Sequence, residues 1–458
     1  MSLQFNEQSY LSVKRNVSFF LNPDSSIKVN IKNRSIKENK VFTLKPDGWE
    51  VIKKISGEKN LISLYNEIIT GFNLQYSSFT NFITNCIECG ILDFTEYSQS
   101  VPIKVIGDGK SYFPSRVNIE ITDKCNLKCE YCYVNSSPHN KEIMKYEKVV
   151  ELFDILERNG VNTIQLTGGE PLVHPDIENI LTLATAKFDV IALLSNGVHF
   201  PDKIIRIIEK NLDKIAVQIS IDGSNEEINF KVRQIKNTFN KTINTLKKLL
   251  DINALLRVVV VVTPNNAVDI DDCCKMLKEL GIKEIGLSIA EESGAAGSIK
   301  YPNKQIQGLY HYLKTTYGEY FLEVNRKYYD IISSVKNITE IDIEDTPRNC
   351  GAGYRSVAID ANGNVKPCLL VSDKVKFLGN IFEDNYLQMF NESTVSKIYR
   401  KFNFSSIEES KCDNCADKYY CGSCMSKIFF ANLKRKADKK DLCFYAKYLE
   451  MDKIFDFS

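Results

Sequence analysis

Residues 118–134 read N-I-E-I-T-D-K-C-N-L-K-C-E-Y-C-Y-V, placing Cys125, Cys129 and Cys132 on one short loop after a strand-like run. V-N-I-E-I alternates as a half-buried strand does, and the polar residues that follow end it. Closed zinc sites take four ligands and usually pair their cysteines as C-x2-C, whereas this spacing is x3 then x2. The chain's 4 histidines form no zinc-like pair that could complete such a site. Three thiolates suit a cubane iron–sulfur cluster instead. Full enclosure of a cubane takes four protein ligands, so one iron is left free to bind something else.

Beyond this loop, strands and helices alternate from residue 117 to 291. V-N-I-E-I, T-I-Q-L-T-G-G, V-I-A-L-L-S-N-G, I-A-V-Q-I-S-I-D, L-R-V-V-V-V-V-T and E-I-G-L-S-I-A-E read as strands. Helical patterns such as Y-E-K-V-V-E-L-F-D-I-L-E-R-N-G fall between them. Six βα repeats with apolar strands predict an α/β fold whose parallel sheet curls into a partial (β/α)6 TIM-like barrel. Such folds carry their reactive loops at the carboxyl ends of the strands, where the three cysteines fall.

Ahead of the barrel, V-S-F-F-L, S-I-K-V-N-I and K-V-F-T-L predict strands, and P-D-G-W-E-V-I-K-K-I predicts a helix started by Pro46 and Asp47. N-L-I-S-L-Y-N-E-I-I and S-S-F-T-N-F-I-T-N-C-I-E-C predict two more helices, and I-L-D-F closes the unit. The resulting organisation is an α+β unit over 1–95, a Ser-, Pro- and Gly-rich linker over 96–112, the barrel over 113–300, a helical bridge over 301–345 and a cysteine-rich region over 346–458.

Lys+Arg 59 balances Asp+Glu 58, which argues against a broad polyanion-binding surface. The start lacks a basic segment followed by an apolar core, and no apolar run is long enough to span a bilayer. The expectation is a soluble, cytoplasmic protein with neither membrane nor nucleic acid as partner. In a reducing compartment, 14 cysteines point to metal or catalysis rather than to disulfides.

The C-x3-C-x2-C spacing, with Tyr131 before the last cysteine, resembles the radical S-adenosylmethionine superfamily. The resemblance implies that the open iron chelates the amino and carboxylate groups of S-adenosylmethionine. It also implies that cleavage of the sulfonium yields a 5′-deoxyadenosyl radical, which abstracts a substrate hydrogen. Further marks follow in order. T-G-G-E-P at 167–171 offers Gly168 and Gly169 for close backbone approach, and Glu170 resembles the residue that receives the cofactor's ammonium. S-N-G (Ser195, Asn196, Gly197) resembles the family's T-N-G turn. S-I-D presents Ser220 and Asp222 on the face that would meet the ribose, and Arg233 sits where relatives place an arginine for the cofactor carboxylate.

Seven cysteines lie beyond residue 346: Cys350, Cys368, Cys412, Cys415, Cys421, Cys424 and Cys443. C-x12-G-x4-C, with Gly363 in an A-N-G-N turn, precedes C-x2-C-x5-C-x2-C and the lone Cys443. This resembles the SPASM extension of peptide-modifying radical enzymes, in which x3 usually precedes the last cysteine of the group of four. The x2 found here leaves open which cluster Cys424 serves. By resemblance, Cys412, Cys415, Cys421 and Cys443 hold a distal auxiliary 4Fe–4S cluster, and Cys350, Cys368 and Cys424 hold a proximal one. Three clusters result. Two fully enclosed cubanes would need eight ligands here, so one auxiliary iron is open or takes a non-cysteine ligand. A pair of zinc ribbons is the bland alternative.

The order of elements over 1–95 resembles the PqqD-like recognition element, a winged-helix relative that holds the leader of a ribosomal precursor peptide. The whole chain resembles the maturases that build thioether crosslinks in such peptides, the subtilosin-type sactipeptide synthases and their ranthipeptide cousins. N-C-G-A-G-Y-R-S at 349–356 and L-G-N-I at 378–381 most suggest this branch. The resemblance implies a cysteine-containing precursor bound through its leader, and an electron donor such as flavodoxin or ferredoxin. Other readings are the same architecture making a carbon–carbon crosslink, an epimerised residue or a formylglycine, and a DNA-binding iron–sulfur redox sensor. The near-neutral charge and the lack of a basic recognition helix oppose the sensor.

Four cysteines read as structural. Phe79, Phe82, Ile83 and Cys86 form one helical stripe, so Cys86 and Cys89 belong to a core despite their C-x2-C spacing. Cys273 and Cys274 are adjacent in a helix, where neighbours diverge by ~100° and cannot chelate one ion. His174, in L-V-H-P-D, reads as a helix-entry residue.

Overall fold

The computed structural model describes residues 5–23, 27–31, 42–71, 74–112, 114–290, 294–295, 312, 315–316, 350–371, 375–402 and 424–455. They divide into two compact units, one running to Tyr112 and the other holding the described residues beyond it.

The first unit runs β1 (Tyr10–Val13), β2 (Val17–Leu21), β3 (Ile27–Ile31), β4 (Phe42–Leu44), α1 (Pro46–Ile52), β5 (Ser56–Asn60), α2 (Leu61–Ile69), α3 (Tyr76–Glu88), β6 (Leu92–Thr95) and β7 (Lys104–Ile106). β5-β1-β6 form one sheet and β4-β3-β2-β7 another. Pro46 opens α1, as its fixed φ favours, and the Asn60 side chain caps α2 by accepting from the Ser63 amide. Leu11, Phe19, Ile52, Leu64, Phe79, Ile83, Cys86 and Leu92 share one buried core. Cys86 is therefore a packing residue of α3. The stretch expected as a linker over 96–112 contributes β7, which pairs in parallel with β2.

The second unit begins with six parallel strands in chain order. They are β8 (Arg116–Glu120), β9 (Thr163–Thr167), β10 (Val190–Ser195), β11 (Ile215–Ser220), β12 (Leu255–Val262) and β13 (Glu284–Ile289). Between them lie α4 (Tyr146–Arg158), α5 (Ile177–Lys187), α6 (Asp202–Glu209), α7 (Glu226–Arg233), α8 (Phe239–Asp251) and α9 (Ile270–Glu279). Val117, Ile119, Ile164, Leu166, Val217 and Ile219 join Val149, Phe153, Ile180 and Leu249 of the helices in one core. Alternation then puts Asn118, Glu120, Gln165, Thr167, Gln218 and Ser220 on the opposite, inner face. Cys273 and Cys274 of α9 are both buried in that helix-side core.

The cysteine-rich region does not stand apart from this sheet. β14 (Ser356–Ile359) pairs in parallel with β8, and β15 (Asn364–Lys366) and β16 (Gly379–Asn380) extend it antiparallel, giving nine strands among the described residues. The Asn118 side chain donates to the Val357 carbonyl at 3.0 Å across the seam. α10 (Tyr386–Asn391), α11 (Thr394–Lys401), α12 (Met425–Ala437) and α13 (Phe444–Tyr448) complete the unit. Of the expected helical bridge, only residues 312 and 315–316 are described, and they are helical. Among the described residues, no helix is long and apolar enough to cross a membrane.

Candidate active site

The cysteine loop leaves β8 at its carboxyl end and is stitched down by its backbone. The Cys125 amide donates to the Ser137 carbonyl at 3.1 Å, and the Glu130 amide donates to the Val232 carbonyl in α7 at 2.9 Å. The Leu127 amide donates to Cys125 Sγ at 3.4 Å and the Ser136 amide to Cys132 Sγ at 3.2 Å. Asn196 Nδ2 lies 3.7 Å from Cys125 Sγ. Burial pushes the Cys125 thiol up to about 12, with the Glu170 charge adding to it. Burial likewise raises Cys129 well above its usual range, and Cys125 and Cys132 push it further. The three thiols thus lie within mutual electrostatic reach. No three of the described His, Cys, Asp or Glu side chains converge as they would around a single metal ion. Buried thiolates need a compensating cation, and amide N–H groups aimed at the sulfurs tune iron–sulfur clusters. The donor set fits a cubane cluster.

The T-G-G-E-P turn is laid directly onto the start of this loop. The Gly169 amide donates to the Thr122 carbonyl at 2.7 Å, and the Glu170 amide to the Lys124 carbonyl at 2.9 Å. A Cβ on Gly168, whose φ is +126°, would sit 2.2 Å from the Thr122 oxygen; one on Gly169 would sit 2.2 Å from the Lys124 oxygen. The close backbone approach read from these glycines is therefore at least an approach to the loop itself. Glu170 is 1% exposed. Its Oε1 accepts from the Leu172 amide at 3.0 Å and its Oε2 from the Asn196 amide at 2.7 Å. Burial still pushes its carboxyl up to about 7, against those hydrogen bonds and one from Ser195. His174 is structural: Nε2 lies 2.8 Å from the Met144 carbonyl and Nδ1 accepts from the Asp176 amide.

Arg233 is fully buried. Its Nε donates to Asp222 Oδ2 at 2.8 Å and its Nη1 to the Asn196 carbonyl at 3.0 Å, while Nη2 is buried without a partner among the described residues. Asp222, expected on the face that would meet the ribose, is engaged by the protein's own groups. It is also fully buried, with Oδ1 accepting from the Val261 amide at 3.2 Å and Oδ2 accepting from Tyr131 Oη at 2.8 Å as well as from Arg233. Asp222 lies past the end of β11, and α7 folds over it. Its carboxylate ties the aromatic of the cysteine motif to Arg233. Ser220, two residues earlier, stays half-buried on the inner face. Two further participants were not read from the sequence. Asn126 Oδ1 accepts from Asn196 Nδ2 at 2.7 Å, and a Cβ on Gly294 would sit 2.3 Å from the Cys132 carbonyl oxygen. The small-residue run S-G-A-A-G was the available signal for Gly294.

In the cysteine-rich region Cys424 and Cys350 both lie within electrostatic reach of Cys368. Burial raises the Cys368 thiol, and Cys424 and then Cys350 push it further. Tyr399 of α11 packs its Cβ 3.1 Å from the position a Cβ on Gly353 would take, and its buried hydroxyl has no partner among the described residues while feeling all three thiols. Cys443 caps α13, its Sγ accepting from the Ala446 amide at 3.4 Å and from Asn432 Nδ2 at 3.2 Å. Cys412, Cys415 and Cys421 lie outside the described residues. Gly363 turns the β14–β15 hairpin at φ +86°, where a Cβ would meet the Phe382 ring at 2.4 Å.

Residues 119–277 match the Radical SAM superfamily, and residues 350–416 match SPASM, an iron–sulfur cluster-binding domain. The chain is an enzyme whose barrel is a radical SAM domain. Its cofactors are 4Fe–4S clusters and S-adenosylmethionine. This radical SAM enzyme is 28% identical over 431 residues to the antilisterial bacteriocin subtilosin biosynthesis protein AlbA of Bacillus subtilis, covering 92% of each chain. It is 28% identical over 302 residues to the sporulation killing factor maturation protein SkfB of the same organism, covering 64% of this chain and 68% of that protein. Its fold is similar to that of Streptococcus suis SuiB bound to the precursor peptide SuiA. The TM-score there is 0.65 at 16% identity, with 92% of this chain and 97% of that chain covered.

Proposed function

We propose that this radical SAM enzyme works in the cytoplasm and installs intramolecular thioether crosslinks, joining a cysteine sulfur to carbon in a ribosomally made precursor peptide. The observation that carries the reading is similarity to a subtilosin biosynthesis protein along 92% of both chains, which takes in the N-terminal unit and the cysteine-rich region alike. When bound, the cluster and S-adenosylmethionine supply reductive cleavage of the sulfonium and, with it, the power to abstract hydrogen.

The protein's own part is to hold and orient. Cys125, Cys129 and Cys132 would hold the radical cluster, and the buried Glu170 carboxylate would receive the coenzyme's ammonium. The unpartnered N–H of Arg233 would take its carboxylate, with Asp222 fixing the guanidinium. Ser220, Asn196 and the Gly168–Gly169 backbone would line the rest. Cys350, Cys368 and Cys424 would hold a proximal auxiliary cluster, and Cys443, with Cys412, Cys415 and Cys421, a distal one. Among the described residues β4 pairs only with β3, which leaves a strand edge on the N-terminal, PqqD-like unit. An extended leader can add there, with main-chain hydrogen bonds supplying affinity. A flavodoxin or ferredoxin would deliver electrons.

The test is anaerobic incubation with S-adenosylmethionine, reductant and the cognate peptide, followed by tandem mass spectrometry and thiol alkylation. A product two hydrogens lighter per bond, with the cysteine blocked to alkylation, is expected. An unchanged mass, or a lighter product whose thiols still alkylate, overturns the reading.

A further inference from the structure

Glu120 ends β8 on the inner face of the sheet and is 4% exposed. Its Oε2 accepts from Lys366 Nζ of β15 at 2.5 Å, so an ion pair spans the radical SAM core and the cysteine-rich region. Its Oε1 faces the buried hydroxyl of Tyr133, which also lies near Thr167, and among the described residues neither atom makes a well-aligned hydrogen bond. The placement is specific in the chain. Tyr133 directly follows Cys132, and Lys366 stands two residues before Cys368. Glu120 is therefore held between a neighbour of the radical loop's last cysteine and a neighbour of the proximal auxiliary set. Neither sequence segment signals the other, because 246 residues separate the pair.

A buried carboxylate oxygen left without a well-aligned hydrogen bond costs up to about 1–3 kcal/mol. In native structures such an atom signals strain, an ordered water or ion, or a catalytic task, and its place between the two cysteine sets favours the last. The groups facing Glu120 are Lys366, Asp360 and Tyr133. Burial raises its carboxyl above the usual range, and Lys366 opposes that rise. A carboxylate shifted toward neutral pH is a better general base than an exposed one.

We propose that Glu120 is the proton acceptor for the substrate cysteine, its Oε1 taking the thiol proton as the sulfur is readied for bond formation. This rests on the thioether reading. The step is redox-neutral: the S–H bond breaks, an O–H bond forms on Oε1, and the electron pair stays on sulfur. Lys366 remains protonated and holds Oε2 in place. Tyr133 offers its hydroxyl from the other side.

The experiment compares wild type with Glu120→Gln, using a peptide deuterated at every residue except cysteine. Iron content and the reduced cluster EPR spectra establish that the clusters are loaded equally. Two readouts are then separated, deuterium transfer into 5′-deoxyadenosine and formation of alkylation-resistant product. Glu120→Gln is expected to keep deuterium transfer within about 2-fold and to lose on the order of 100-fold in crosslinking at pH 7. Crosslinking should recover toward pH ~8.5, where the thiol ionises unaided. A Glu120→Gln/Lys366→Met variant, free of an uncompensated lysine, should show the same split. Full crosslinking at pH 7 in these variants, or equal loss of both readouts with the clusters intact, overturns the assignment. Alkylatable thiols in the wild-type product refute the thioether reading, and Glu120's role with it. Blocked thiols in wild type alongside an unimpaired variant refute Glu120 alone.

Discussion

Glu170 is a carboxylate almost without water, and that sets its behaviour with pH. Its folded-state value of about 7 lies above the ordinary 4.5, so the fold favours the protonated form. The stability this contributes is present below pH 4.5 and is lost as pH rises through 7. An incoming ammonium needs the opposite, ionised form. Affinity for S-adenosylmethionine should therefore rise with pH through about 7 and then level off. Glu170→Gln should bind on the order of 10-fold or more weakly without that slope, as titration calorimetry at pH 6, 7 and 8 can measure. A pH-independent wild-type affinity would remove Glu170 from the ammonium site. Urea unfolding without coenzyme should show the variant more stable than wild type at pH 8, with the gap closing toward pH 5. The turn that carries Glu170 was legible because T-G-G-E-P is local. The buried partners of Asp222 were not legible, because β11 stops at Ser220 and packing under α7, not strand alternation, sets its surroundings.

Strands and turns show the same division between local and distant causes. β8 to β13 could be read directly, since parallel strands covered by helices are apolar runs bounded by turn residues. β5, S-G-E-K-N, and β7, K-V-I, carry no such pattern. Pairing with β1 and β2 makes them strands. The radical loop is likewise made by its neighbour. Gly168→Ala would drive a Cβ to 2.2 Å from the Thr122 carbonyl oxygen at a φ of +126°, and backbone cannot yield as a flexible side chain can. The expected outcome is a folded protein lacking about one cluster's worth of iron and unable to cleave S-adenosylmethionine. Iron analysis together with far-UV circular dichroism checks it. Full iron loading would show that the turn does not shape the loop.

The N-terminal unit has its own buried core, and so does the remainder. A chain beginning at Phe113 should therefore keep coenzyme cleavage. It should lose crosslinking of leader-bearing peptide mainly through KM, and residues 1–112 supplied separately should restore part of it. Steady-state kinetics with and without the added unit decides this, and unchanged KM would place leader recognition elsewhere. The joining of the cysteine-rich region to the barrel sheet was not legible, because nothing near Ser356 announces that its partner is Arg116. That parallel pairing also bears on how the protein is made. At ribosomal speeds of roughly 5–20 residues per second, β14 leaves the ribosome some 12–48 s after β8. Until then the nascent β8 exposes a bare hydrogen-bonding edge, the kind that invites mispairing between chains. Lys366 arrives later still, so Glu120 waits for its counter-ion through most of translation. Slow elongation thus lengthens the time at risk, and overproduction in cells that crowd such nascent chains together should favour aggregates seeded at that edge.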